Sequence, residues 1–179
     1  MRRFLLAFTL ALAPLWAAGE LSNRRAPGFS LPDLNLKQHD LGDYRGKVVV
    51  LEIMLTNCPH CAKFAPLLEE VSRKYGARVQ VISIVNPPDT TSTVGRFATD
   101  NKVTYPILFD CGQAAGSYMK ASPQNPRFDI PHLFLIDQRG MIRNDWAYSV
   151  LNIGIFEGRA LFAEVEKVLG PPAKKVAPK

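Results

Sequence analysis

The chain has 179 residues, 47% hydrophobic and 21% charged, with 14 prolines and 12 glycines, which suits one globular domain with an adequate core and excludes a disordered tail, a collagen-like chain and a multi-domain machine. Lysine plus arginine exceeds aspartate plus glutamate by 22 to 16, a net charge of +6. With no basic run except Lys174, Lys175 and Lys179 in the tail, that excess reads as solvated surface and gives no reason to expect a nucleic-acid partner.

Residues 1–19 combine Arg2 and Arg3, an apolar stretch from Phe4 to Trp16, and the small residues Ala17, Ala18 and Gly19. This is the three-part pattern of a secretory signal peptide. The stretch falls short of the ~20 residues that span a bilayer, so cleavage near Ala18 or Gly19 is expected, with a retained membrane anchor as the alternative. The domain is then expected to work outside the cytoplasm, in a periplasmic or other extracytoplasmic space where disulfides persist. Three cysteines are an odd count, too sparse for a disulfide scaffold, and allow one internal bridge at most.

From Glu20 to Gly46, Pro27, Pro32, Gly42 and Gly46 separate short alternating pieces around Phe29 and Leu36, which predicts an N-terminal β-hairpin. Val48 to Leu55 is apolar except for Glu52 and rich in β-branched residues, a strand covered on both faces. Pro59 to Tyr75 has helical spacing through Phe64, Leu67, Leu68 and Val71 and stops at Gly76. Val79 to Val85 is a second buried strand, broken by Asn86-Pro87-Pro88-Asp89. Thr93 to Lys102 predicts a helix, Ile107 to Phe109 a short strand and Cys111 to Lys120 another helix. Ser122 to Asp129 is a loop. His132 to Ile136 and Met141 to Tyr148 are strands joined by a turn at Asp137 to Gly140, and Phe156 to Leu169 is the closing amphipathic helix. The order predicts an α/β fold, a mixed central sheet flanked by helices on both faces, in one domain over residues 26–169 with a flexible tail at 170–179. Phe97, Phe109, Phe134, Trp146 and Phe162 fall on its apolar faces, and Cys111 is expected to be a small buried hydrophobe.

The chemistry concentrates in Cys58-Pro59-His60-Cys61. Two cysteines three apart at a helix start have Cα atoms roughly 5 Å apart, within reach of a disulfide. Cys58 faces the unpaired N–H groups of the helix N-terminus, which stabilise a thiolate, and His60 adds a further positive charge. Cys58 is therefore the candidate nucleophile. Cys61, one turn deeper, is the candidate resolving thiol, and Pro59 fixes the first turn where its missing N–H costs little. A zinc site needs two further ligands, and only Cys111, His39 and His132 remain, none with paired spacing; no metal is expected. Glu52 in a buried strand should have a raised pKa and a reason to be there. It lies six residues before Cys58, at the opposite end of the strand that delivers the helix start, and can point beneath Cys61 to relay the proton that thiol must lose. The plainer reading is a strand-edge glutamate reaching water.

These residues resemble the thioredoxin superfamily. Cys61 to Tyr75, CAKFAPLLEEVSRKY, is similar to its active-site helix, with Pro66 placed to kink it, and Glu52 stands where that family has a buried carboxylate. Ile130-Pro131 before an apolar strand is similar to the family's cis-proline loop. The resemblance implies that Pro131 packs against the cysteine pair and that the backbone of Ile130 pairs with an extended substrate. APGFSLPDL, GKVVVLE, YPILFD and IPHLFLIDQRG extend the likeness to exported redoxins of the TlpA and ResA type, within the AhpC/TSA group, over nearly all of the mature domain. The CPHC quartet is the one DsbA carries, without room for its helical insertion. Asn57 replaces the tryptophan usual before the first cysteine and Met54 a second common tryptophan position, so the substrate-facing surface is less aromatic. The loop Ser122 to Phe128 is longer than usual.

The function implied is thiol-disulfide exchange with protein thiols by a monomer whose redox group is the Cys58-Cys61 disulfide, with no other cofactor. A membrane-bound thiol-redox donor or acceptor would recycle it. His60 favours an oxidant and the family resemblance a reductant; the reductant is the expectation. The alternatives are a thiol peroxidase, which needs a threonine where Leu55 stands, and a Cu(I) metallochaperone using Cys58, Cys61 and His132.

Overall fold

The computed structural model describes residues 19–124, 126 and 129–171. Residues 1–18 of the expected signal peptide, the end of the tail and part of the 122–129 loop lie outside the described residues. The first strands are β1 (Arg24–Arg25), β2 (Ser30–Pro32) and β3 (Gln38–Asp40). The central strands are β4 (Val48–Met54), β5 (Val79–Val85), β6 (Ile107–Phe109), β7 (His132–Ile136) and β8 (Met141–Ala147). The helices are α1 (Pro59–Tyr75), α2 (Thr91–Asp100), α3 (Gln113–Met119), α4 (Ile153–Phe156) and α5 (Ala160–Leu169).

Six strands form one mixed sheet in the order β1-β8-β7-β4-β5-β6, and β2 pairs with β3 as the N-terminal hairpin. β4, β5 and β6 run parallel, while β7 lies antiparallel to β4. Alternation along the central strands sorts their side chains between two cores. Val48, Val50 and Met54 face α1, α2, α4 and α5, whereas Val49, Leu51 and Ile53 face α3 and the N-terminal hairpin. Covering β4 on both faces explains its unbroken apolar sequence.

α1 buries Cys61, Phe64, Ala65, Leu68 and Val71, a stripe at helical spacing, and ends where Gly76 takes φ 51°. Three boundaries differ from the sequence reading for local reasons. α2 starts at Thr91 because Thr90 and Thr93 form a reciprocal capping box. α3 starts at Gln113 because Gly112 takes φ 101° and Asp110 accepts hydrogen bonds from the Ala114 and Ala115 amides at 3.2 and 2.9 Å. The closing helix is two pieces, α4 and α5, interrupted at Glu157 to Arg159.

The pairing of Arg24–Arg25 with Met141–Ile142 was not foreseen, since two arginines carry no strand pattern. Leu36 sits at φ 60° in the hairpin turn and is exposed instead of packing. Phe97, Phe134 and Phe162 are buried as expected, but Phe109 and Trp146 are only half-buried. Cys111 corrects the sequence reading outright: it is exposed. Asp110 occupies the inward position to cap α3, which turns the next side chain outward.

Candidate active site

β4 ends at Met54 and the chain passes through Leu55, Thr56 and Asn57 to Cys58, the N-cap residue of α1. This link is pinned by Asp89, which accepts a hydrogen bond from the Thr56 amide at 3.0 Å, one from its hydroxyl, and one from the Thr93 hydroxyl at 3.0 Å. The turn after β5 thus holds the segment that delivers Cys58. Asn57 and Pro59 are exposed, Cys58 and His60 are half-buried, and Cys61 is fully buried. Both cysteines are free thiols.

Burial pushes the Cys61 thiol far up, and the nearby Glu52 and Cys58 add to the shift. Glu52 lies two residues from the C-terminal end of β4, near the end that delivers Cys58 and not at the opposite end as the sequence reading had it, and at 1% exposed it does not reach water. Its side chain is on the α1 face of the sheet, because Val50 and Met54, two residues either side, belong to that core. Parallel register sets it opposite Ser83, whose hydroxyl donates to Oε2 at 2.6 Å. Oε1 is buried without a partner. Desolvation, partly offset by the Ser83 hydrogen bond, pushes its pKa up to about 7. The buried Tyr105 phenol is pushed up by its own desolvation and by the fields of Glu52 and Cys61. Cys61, Glu52, Ser83 and Tyr105 are one buried polar group beneath the start of α1.

His60 stacks on Tyr148, ring centroids 4.0 Å apart, and its Nδ1 lies 4.0 Å from Glu157 Oε1. Tyr148 donates its hydroxyl to the same Glu157 oxygen at 2.7 Å and its amide to the Pro131 carbonyl at 3.0 Å. The Ile130–Pro131 peptide bond is cis. Antiparallel register sets His132 opposite Ile53, so Pro131 stands at the end of the sheet from which β4 delivers Cys58. Pro131 is buried and Ile130 half-buried.

His132 does not join this group. It packs on the α3 face, stacked on Phe134 and bonded to Asp145 at 3.1 Å, so a ligand set of Cys58, Cys61 and His132 is not assembled. Thr56, two residues before Cys58, spends its hydroxyl on Asp89. Among the described residues no cluster of three or more metal-ligating side chains occurs, and no helix is long and apolar enough to cross a membrane.

Sequence reasoning missed Ser83, Tyr105, Tyr148, Glu157 and Asp89. Ser83 had a signal, a lone hydroxyl in VQVISIV that parallel pairing brings beside Glu52. The contacts of Tyr148 and Glu157 depend on the fold around the α4–α5 break and carry no pattern.

The profile of the AhpC/TSA family matches residues 23–145. The chain belongs to the AhpC/TSA family. This AhpC/TSA protein is 32% identical over 118 residues to the thiol-disulfide oxidoreductase ResA of Geobacillus kaustophilus, covering 66% of this chain and 64% of that one. It thus spans a little under two thirds of that relative's length. Over 128 residues it is 27% identical to the thioredoxin-like protein YneN of Bacillus subtilis, covering 70% of this chain and 71% of that one. A solved thiol:disulfide interchange protein of the thioredoxin family from Chlorobium tepidum superposes with a TM-score of 0.66 at 19% identity, covering 82% and 97% of the two chains. The fold is therefore thioredoxin-like.

Proposed function

We propose that this protein is an extracytoplasmic thiol-disulfide oxidoreductase that exchanges disulfides with protein substrates through Cys58 and Cys61, acting as a reductant. One observation carries the reading: a half-exposed cysteine caps α1 while its partner, one turn on, is buried above a carboxyl whose pKa lies near neutrality. The relatives named thiol-disulfide oxidoreductase support the same activity.

In the reducing direction the Cys58 thiolate attacks one sulfur of a substrate disulfide. That S–S bond breaks, a Cys58–substrate disulfide forms, and the other substrate sulfur leaves as a thiolate. Cys61 then loses its proton to Glu52 and attacks Cys58. The mixed disulfide breaks, the second substrate thiol is released, and the two electrons gained by the substrate leave a Cys58–Cys61 disulfide. Burial of Cys61 keeps it protonated until this step, which stops it competing for substrate. A carboxylate nearby with a pKa of about 7 is matched to taking that proton at neutral pH. Pro59 fixes the first turn, and His60 is held against the Tyr148 ring beside it. Ile130 offers backbone hydrogen bonds to an extended substrate beside Pro131, and Asn57 borders the same approach. A membrane thiol-redox partner re-reduces the pair. The apolar segment before Gly19 supports export.

The reduction potential of the pair, measured against glutathione, tests the direction. A value near about −270 mV fits a reductant and one near about −120 mV refutes it. Cys58→Ser abolishes disulfide exchange if the assignment holds; exchange that survives this change refutes it.

A further inference from the structure

The segment before β1 is fastened to β8 at Asn144 and Asp145. The Gly19 amide donates to Asn144 Oδ1 at 2.9 Å, and the Gly19 carbonyl accepts from the Ser22 amide at 3.1 Å. In the turn so formed, the Leu21 amide and the Ser22 hydroxyl donate to Asp145 Oδ1 at 3.0 and 2.5 Å. Gly19 lies so close to Asp145 that a Cβ at position 19 would overlap both its backbone carbonyl oxygen and its carboxyl. That carbonyl belongs to a paired strand and cannot swing aside, so the position takes glycine.

Asp145 is 5% exposed, and His132 Nε2 bonds its Oδ2 at 3.1 Å. Burial alone would push its carboxyl up, but hydrogen bonds from His132, Ser22 and Leu21 outweigh this and hold it below the usual range. It is therefore a carboxylate at neutral pH. Hydrogen bonds satisfy its lone pairs without neutralising its charge. Among the described residues its one ion-pair partner is His132, which is charged only when protonated. The field of Arg24 reaches Asp145, but its guanidinium donates to the carbonyls of Leu21 and Tyr118. The other carboxyl groups at the cavity beside Gly19 are those of Glu20 and Asp129, and no lysine or arginine is among its described lining residues.

We infer that removal of the signal peptide supplies a cation here: the Ala18–Gly19 peptide bond is cut, and the new α-ammonium of Gly19 seats on Asn144 and Asp145. An endopeptidase that reads small side chains is the catalyst and water the co-reactant. The hydroxyl of water ends on the Ala18 carbonyl carbon and its hydrogen on the Gly19 nitrogen, which takes a further proton from the carboxyl so formed. That nitrogen keeps its bond to Asn144 and gains two N–H groups beside the Asp145 carboxylate. A cut one residue later would discard both the donor to Asn144 and the acceptor for the Ser22 amide. Because Asp145 also holds His132, the residue after Pro131, the seated terminus braces the cis-proline segment. The inference rests on the export reading above.

Two measurements test it. Mass spectrometry of the exported protein is expected to find Gly19 first. A chain that begins at another residue of the processed form overturns the inference and leaves export standing, whereas one that still begins at Met1 refutes both. The seat is read separately on residues 19–179, released from a fusion with glycine first, by following the carbon-13 shift of the Gly19 α-carbon as pH rises. The folded chain is expected to hold the α-ammonium proton about fivefold more tightly than the same chain in urea, the scale of one ion pair near the surface. Asn144→Asp is expected to tighten it further, and Asp145→Asn to abolish the difference. Equal proton affinity in the folded and unfolded chains, or no tightening in Asn144→Asp, overturns the seat. A proton held more tightly in the folded state stabilises it below the ordinary α-amino pKa of about 8, and the gain is lost as pH rises through the folded value. Relative to a chain begun at Ala17, whose charge lies two residues away, the chain begun at Gly19 is therefore expected to have an unfolding equilibrium constant about fivefold smaller at about pH 6, converging by about pH 10. A difference that does not change with pH overturns the ion pair.

Discussion

Replacing Glu52 by glutamine removes a buried charge while keeping an oxygen to accept the Ser83 hydroxyl. The folded protein holds the Glu52 proton to about pH 7, whereas a solvated glutamate releases it near 4.5. Between those values the folded state binds a proton that the unfolded state has lost, so this group's contribution to stability falls as pH rises through the window. At 1.36 kcal/mol per pH unit the full penalty is about 3 kcal/mol above pH 7. Glu52→Gln should therefore match wild type below pH 4.5, gain on it steadily up to pH 7, and remain about 3 kcal/mol more stable beyond. Urea unfolding of both reduced proteins at pH 4.5, 6 and 8 measures the difference, in which all other titrating groups cancel. A variant less stable than wild type at pH 8, or a difference that does not change with pH, refutes the assignment of a buried, desolvated carboxyl.

The same substitution should slow release of the mixed disulfide on the order of a hundredfold near pH 7, the scale of a lost general base; unchanged rates from pH 6 to 8, read by stopped flow, would discard the relay. Ser83→Ala removes the one hydrogen bond that lowers the Glu52 pKa, so the pH midpoint of that release should move upward, and a midpoint that stays or falls contradicts the geometry. Asp110→Ala leaves the Ala114 and Ala115 amides uncapped and should cost about 1–2 kcal/mol of unfolding free energy by denaturant titration. In the reduced native protein, maleimide should modify exposed Cys111 rapidly and buried Cys61 only on unfolding; protection of Cys111 contradicts its outward placement.

The sequence made the central strands and α1 legible because each is bounded by glycine, proline or a polar break and buried by a single clear periodicity. Val79–Val85, Ile107–Phe109 and His132–Ile136 stand where the pattern put them. The α4–α5 break was hidden because Ile155 and Phe162, both buried, keep the seven-residue helical spacing across it. The cysteines and Glu52 were visible as chemistry out of place: thiols three apart at a helix start and a carboxylate in an apolar strand. Ser83, Asp89 and Tyr148 were not, since their partners lie 31, 33 and 9 residues away and only the assembled fold brings them together. Cys111 was misread because one capping carboxylate decides which of two adjacent side chains points inward.

Glu52 and Ser83 belong to neighbouring parallel strands, and the segment joining those strands is α1 itself, which carries both thiols. The acid and its hydroxyl donor can meet only after the intervening helix has crossed over and the two strands have aligned. A nascent or partly folded molecule thus lacks the environment that retunes the carboxyl. Completion of the central crossover and maturation of the redox centre are one event.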